Sequence, residues 1–247
     1  MAFFYTAIGS PALLHPSIEK RGFACDTMTQ GLTKDDCEYL SSIGMSGQGV
    51  NAKSPNGNIS VGDQGPNKLI FTNQANKPVI LLVWQSIRED FESSFLKVRK
   101  PKVSYSLPKQ GDKVTVSLAN AVSGGWSVVI DRKTQFSSHG QIDNTWGEFT
   151  SGENATVNIS RLINMSGTRM SARTSGGCMA GMNTCVFVCR SNNTCGESQT
   201  YDLKNCKSGS QPGATWGLLV NGKGEENPEG GCQGWKDGGQ VSIDLDS

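Results

Sequence analysis

At 247 residues the chain can form one large β domain or two small ones, and folding at this length buries roughly 70–75% of the unfolded surface, so a real apolar core is available. A formal net charge of +1 gives no case for a nucleic-acid or polybasic membrane partner, and no apolar run approaches the ~20 residues needed to cross a bilayer as a helix. Charged residues are sparse at 18%, and 30 glycines among many Ser, Thr and Asn point to turns and short strands rather than long helices.

Residues 1–21 form the first segment. Lys20-Arg21 is a dibasic pair of the kind a secretory-pathway protease cuts, which leaves Gly22 as the mature start. An ordinary solvated pair is the competing reading. The preceding "AFFYTAIGSPALLHPSI" lacks a basic n-region and is broken by Gly9, Pro11 and Pro16, so it is a poor signal peptide by itself. The segment reads as a signal or pro-segment, or as a remnant of expression.

Residues 22–66 read as an irregular extension with one short helix. "LTKDDCEYLSSIG" places Thr33 at the N-cap, Asp36 at the capping-box position and Gly44 as the stop. "GMSGQGVNAKSPNGNISVGDQGP" is loop chemistry throughout, and its glycine spacing has neither the leading strand nor the following helix of a phosphate loop.

Residues 67–247 form the main domain. "KLIFTNQANKPVILLVW" predicts two strands around an Asn-rich turn, the second a buried run ending at Trp84. Val103-Tyr105-Leu107 and Val114-Val116-Leu118 follow as alternating strands. A Gly124-Gly125 turn then leads into Trp126–Ile130. Gly176 to Cys206 reads as a stapled loop lobe, and Val241-Ile243-Leu245 is a last alternating strand. Short strands at regular spacing with turn signals predict an all-β sandwich or barrel. Trp84 and Trp126 belong to its core, whereas Trp216 and Trp235 flank a glycine-rich loop.

Cysteine arithmetic and sequons point to one compartment. Cys25, Cys37, Cys178, Cys185, Cys189, Cys195, Cys206 and Cys232 make an even set without paired C-x-x-C knuckles, and only His15 and His139 could assist a metal. Disulfides therefore fit better than zinc, although the pairing stays open among 105 possibilities. N-x-S/T triplets begin at Asn58, Asn154, Asn158, Asn164 and Asn192. Together these predict a secreted glycoprotein, extracellular or in a cell wall, with no cofactor and no metal, working as a monomer.

The order of motifs resembles the thaumatin-like proteins. "IFTNQANKPVILLVW" occupies the place of that family's opening strands, "YSLPKQGDKVTVSLANAVSGGWSVVIDRKT" is similar to the next turn and strand, and "TWGEFT" followed by "VNISRLINMSGTRM" resembles the segment that carries its cleft. The likeness runs from about Lys68 to the C-terminus and is greatest to secreted fungal members, including allergens with a "TWGEF" stretch. It implies a thaumatin-like antiparallel β-sandwich with a disulfide-stapled loop lobe at about residues 176–206. Neither Asn73-Gln74-Ala75 nor "VSIDLDS" carries the cysteine that usually ties the family's first strand to its last.

The resemblance also implies an acidic cleft in which some members bind or cleave β-1,3-glucan. Glu148 matches the cleft Glu and Arg132 matches its Arg, but Asn158 and Ile163 stand where aspartates are expected. Glycoside hydrolysis ordinarily needs two carboxyl groups, one protonated and one ionised. An amide accepts hydrogen bonds from a sugar but cannot take a proton from water. Asp131, Asp143, Glu153 and Asp202 are candidates for a second carboxylate, and nothing in the sequence selects one. Strand alternation puts Trp146, Glu148 and Thr150 on one face and Phe149 on the other. Trp146 and Glu148, with Arg132 and Asn158, then form a sugar-binding platform. In the competing reading, Trp146 packs under a loop and Glu148 pairs with Arg132. The expected function is non-catalytic binding of a cell-wall polysaccharide (β-glucan) or a host protein, as an effector-like or allergen-like secreted protein. A weak endo-β-1,3-glucanase using Glu148 is the alternative.

Overall fold

The computed structural model describes residues 22–55, 58–87, 90, 100–197, 199–206, 214–215, 218–220, 226–228, 230–236 and 238–246. Lys20, Arg21 and Trp216 lie outside the described residues. The described elements are one helix, α1 (Lys34–Ser42), and seventeen strands. They are β1 (Ile59–Val61), β2 (Asn67–Asn73), β3 (Val79–Gln85), β4 (Val103–Leu107), β5 (Lys113–Leu118), β6 (Ser123–Ile130), β7 (Trp146–Thr150), β8 (Thr156–Ser160) and β9 (Met170–Thr174). Further along the chain come β10 (Met179–Ala180), β11 (Val186–Cys189), β12 (Tyr201–Lys204), β13 (Ala214–Thr215), β14 (Leu218–Val220), β15 (Glu226–Pro228), β16 (Gly231–Cys232) and β17 (Gln240–Leu245).

Two sheets face each other. One runs β1-β5-β2-β17-β9-β10; the other runs β12-β11-β8-β7-β6-β3-β4, with β16 joined to β8 and β13 to β16. Strand alternation sets the core between them. Leu69, Phe71, Val116, Leu118, Val241, Ile243 and Leu245 of the first sheet pack against Leu81, Val83, Trp126, Val128, Phe149 and Val157 of the second. Phe71 and Trp126 meet edge to face across the interface with centroids 5.6 Å apart. The last strand lies parallel to β2 and antiparallel to β9, which places the chain's two ends of the sandwich side by side. Where a cysteine tie is missing, backbone bonds serve: Gln74 N and Ala75 N both donate to Leu245 O, at 2.7 and 3.1 Å.

The apolar run of β3 is buried on both faces, and the second face shows what residues 22–66 do. Ile80, Leu82 and Trp84 point away from the sandwich core. With Val129, Ile142 and Trp146 they pack against Leu32, Cys37, Leu40, Ile43 and Met45 around α1. Helix α1 begins as its sequence predicts, with the Thr33 hydroxyl accepting from Asp36 N. The expected irregular lead-in is therefore a lid on the outer face of the larger sheet, and its later part supplies β1, paired with β5.

One further expectation changes. Gly124 and Gly125 sit within β6 rather than in a turn, and the bend falls at Ala121, with φ of 58°. The glycines serve close approach: a Cβ on Gly124 would stand 2.1 Å from Trp84 O, and one on Gly125 would stand 2.6 Å from the Trp84 ring. Within the stapled stretch 176–206, β11 pairs parallel to β8 and β12 extends the same sheet. All eight cysteines pair, as Cys25–Cys37, Cys178–Cys232, Cys185–Cys206 and Cys189–Cys195.

Candidate functional site

Helix α1 covers only part of the outer face of the larger sheet. Beside it the face is open and forms a cleft of about 1210 Å³. Its floor is the outward row of two neighbouring strands, where Trp146 lies opposite Ser160, Glu148 opposite Asn158 and Thr150 opposite Thr156. The alternate residues Phe149, Val157 and Ile159 are in the sandwich core. One wall is formed by residues 191–197 with Thr200 and Tyr201, pinned by Cys189–Cys195 and by Thr194, whose hydroxyl donates to Ile163 O at 2.9 Å. His139 and Gln141 also line the cleft.

Glu148 and Asn158 are the polar centre of the floor. They are directly opposed across the strand pair, so their side chains project together. Glu148 retains part of its surface toward the cleft, but burial pushes its pKa from 4.5 up to about 7, a rise tempered by a hydrogen bond from the Asn158 side chain. Asn158 is 8% exposed; its Nδ2 donates to Gly230 O at 3.3 Å, while its Oδ1 is buried and has no partner among the described residues. A buried amide oxygen without a donor costs stability, and such exceptions mark places where a ligand group can complete the set.

Two expected platform residues are elsewhere. Arg132 does not reach Glu148. Its Nε donates to Asp36 Oδ1 of α1 at 2.8 Å, and its terminal nitrogen lies 3.7 Å from Asp35. Asp36 is 3% exposed and also accepts from Ser106 Oγ, so the guanidinium closes a strut between the lid and the sheet. Trp146 is only 2% exposed. Its Nε1 donates to Ile142 O at 2.9 Å, and its ring stands edge-on to Trp84 with centroids 4.8 Å apart. Trp146 thus borders the cleft from within the second core and offers no open stacking face. The aromatic wall comes instead from Phe187 and half-buried Tyr201, packed edge to face at 5.9 Å.

The candidate second carboxylates lie outside the cleft. Asp131 pairs with Lys133, Asp143 accepts from Asn164, Asp202 pairs with Arg190, and Glu153 is in an exposed turn. Glu197, exposed in the wall loop, is the one carboxylate besides Glu148 among the described lining residues, and none of those residues is Lys or Arg. The sequence carried no sign of Glu197 beyond its position two residues after Cys195. Of the sequon asparagines, Asn58, Asn154 and Asn192 are exposed, with Asn192 at the mouth of the cleft. Asn164 is half-buried with its amide bonded to Asp143, and Asn158 is the buried floor residue. Asn158 is therefore ill-placed as a glycan acceptor.

The sheets and cross-links decide the architecture. The chain is a disulfide-braced β-sandwich. No family model and no curated protein matches it. Among solved structures, the thaumatin-like xylanase inhibitor TLXI is similar over 72% of this chain and 97% of its own, at 12% identity and a TM-score of 0.34. At that overlap the likeness carries no argument about function, and the sandwich assignment rests on strand pairing alone.

Proposed function

We propose that this chain is a secreted, divergent thaumatin-like glycoprotein that holds a cell-wall carbohydrate in its cleft without cleaving it. The observation that carries the reading is the opposed pair Glu148 and Asn158 on the floor of an open cleft, a carboxyl with no cation beside an amide oxygen with no donor among the described residues. Sugar hydroxyls supply donors for both, and the Phe187–Tyr201 wall supplies apolar surface for C–H faces. Four disulfides and the exposed sequons Asn58, Asn154 and Asn192 favour an extracellular protein, and the TWGEF resemblance favours a fungal, allergen-like or effector role. β-1,3-Glucan is the first ligand to test.

Hydrolysis is the second reading, and one observation favours it. A carboxyl held near 7 is suited to donate a proton, and Glu197 on the wall is a second carboxyl lining the same cleft. Pull-down on insoluble β-1,3-glucan, with reducing-end release, separates the two. Binding without release, weakened in Glu148→Gln, supports a binding protein. Release abolished in both Glu148→Gln and Glu197→Gln makes the chain a glycosidase. Neither binding nor release removes the carbohydrate reading and points to a host protein as partner.

A further inference from the structure

We infer that the glycan this cleft selects carries protonated amines, as a deacetylated amino-sugar oligomer does. The inference rests on the carbohydrate-binding reading and goes on to the charge of the ligand. Ser and Thr hydroxyls line much of the cleft, and at its centre Glu148 stands beside Asn158. Glu148 offers carboxylate oxygens, Asn158 offers a buried Oδ1 with no partner among the described residues, and Glu197 on the wall adds a second carboxylate. The charged or titratable groups that line the cleft are Glu148 on β7, Glu197 and Tyr201 on the wall side, and His139, with no Lys or Arg among the described lining residues. An ammonium presents three donors and no acceptor, which complements such a set.

Competing ligand charges fit less well. A neutral hydroxyl leaves Glu148 in its protonated form below about pH 7, so it gains no charge-assisted hydrogen bond there. A polyanion such as a uronate polymer would bring like charge against both Glu148 and Glu197. The Phe187 and Tyr201 rings give a cation a polarisable wall. The chain's net charge of +1 provides no general attraction for a polycation, so any preference must arise in the cleft. Because burial holds the Glu148 proton to about pH 7, a bound ammonium would favour the ionised carboxylate and expel that proton.

The test is calorimetric titration of the full glycosylated chain at about pH 6, with three hexamers: β-1,4-linked glucosamine, its N-acetylated form and β-1,3-linked glucose. The glucosamine hexamer is expected to bind roughly tenfold more tightly than either neutral one, the scale of one charge-assisted hydrogen bond. Binding should release protons, seen as a dependence of the heat on buffer ionisation. Glu148→Gln should erase both the preference and the proton release, while Asp202→Asn, outside the cleft, should keep them. Equal or tighter binding of the glucose hexamer overturns the amine inference and leaves the carbohydrate reading standing. No binding by any hexamer overturns both. A glucosamine preference that survives Glu148→Gln is surface charge attraction and also overturns the inference.

Discussion

Glu148 and Gly147 are adjacent residues with opposite demands on the same strand. Glu148 holds its proton more tightly in the folded chain than its ordinary value of 4.5 implies, with a folded value of about 7. Between those two pH values the native state binds more protons than the unfolded state, so stability falls as pH rises through the window and levels off above it. Glu148→Gln keeps the shape of the neutral acid. It should leave stability unchanged near about pH 4 and raise it above about pH 8 by on the order of 1–3 kcal/mol, read from urea denaturation at both pH values. Gly147 faces the other way, into the sandwich core, where an added Cβ would stand 1.9 Å from the Trp126 ring. Trp126 is fully buried beneath Phe71 and Phe149 and has no room to retreat. Gly147→Ala should destabilise the protein by about 3 kcal/mol or prevent its folding, measured by thermal unfolding and soluble yield.

At the scale of elements, α1 is held to the sheet by one buried carboxylate as well as by apolar packing. Asp36 accepts from Arg132 Nε at 2.8 Å and from Ser106 Oγ at 2.5 Å. Asp36→Ala removes both acceptors while sparing the Leu40 and Met45 contacts of the second core. A loss of about 2 kcal/mol is expected, with faster amide exchange confined first to α1 and its flanks. Trp84 and Trp146 belong both to that core and to the edge of the cleft. Loosening α1 should therefore weaken ligand binding as well, although no residue of the helix lines the cleft.

For the whole molecule, the disulfides divide between holding the fold and shaping the site. Cys178–Cys232 closes a sequence separation of 54 residues, whereas Cys189–Cys195 closes 6. On loop-closure entropy the first is worth about 4 kcal/mol and the second about 2 kcal/mol. The double substitution Cys178→Ala/Cys232→Ala should lower the unfolding midpoint more than Cys189→Ala/Cys195→Ala does. Ligand affinity should reverse that order, because the shorter bridge pins the wall that carries Glu197 and precedes Tyr201. Denaturation and glycan titration of the two variants check both rankings.

Local chemistry in the sequence was enough to determine the all-β class, the strands around Asn73 and Lys113, the Thr33 cap and the even cysteine count. Alternation of period two also separated Glu148 from Phe149, and that separation is what the β7–β8 register displays. Periodicity reports which face a side chain takes, but not what covers that face. Only the tertiary structure decided that α1 caps β3 and buries Trp146, and that Arg132 turns to Asp36 rather than Glu148. It also decided that Glu197 comes to the cleft from a loop about fifty residues further along the chain. Those are long-range contacts between segments whose local patterns are complete without each other, so no reading along the chain contains them.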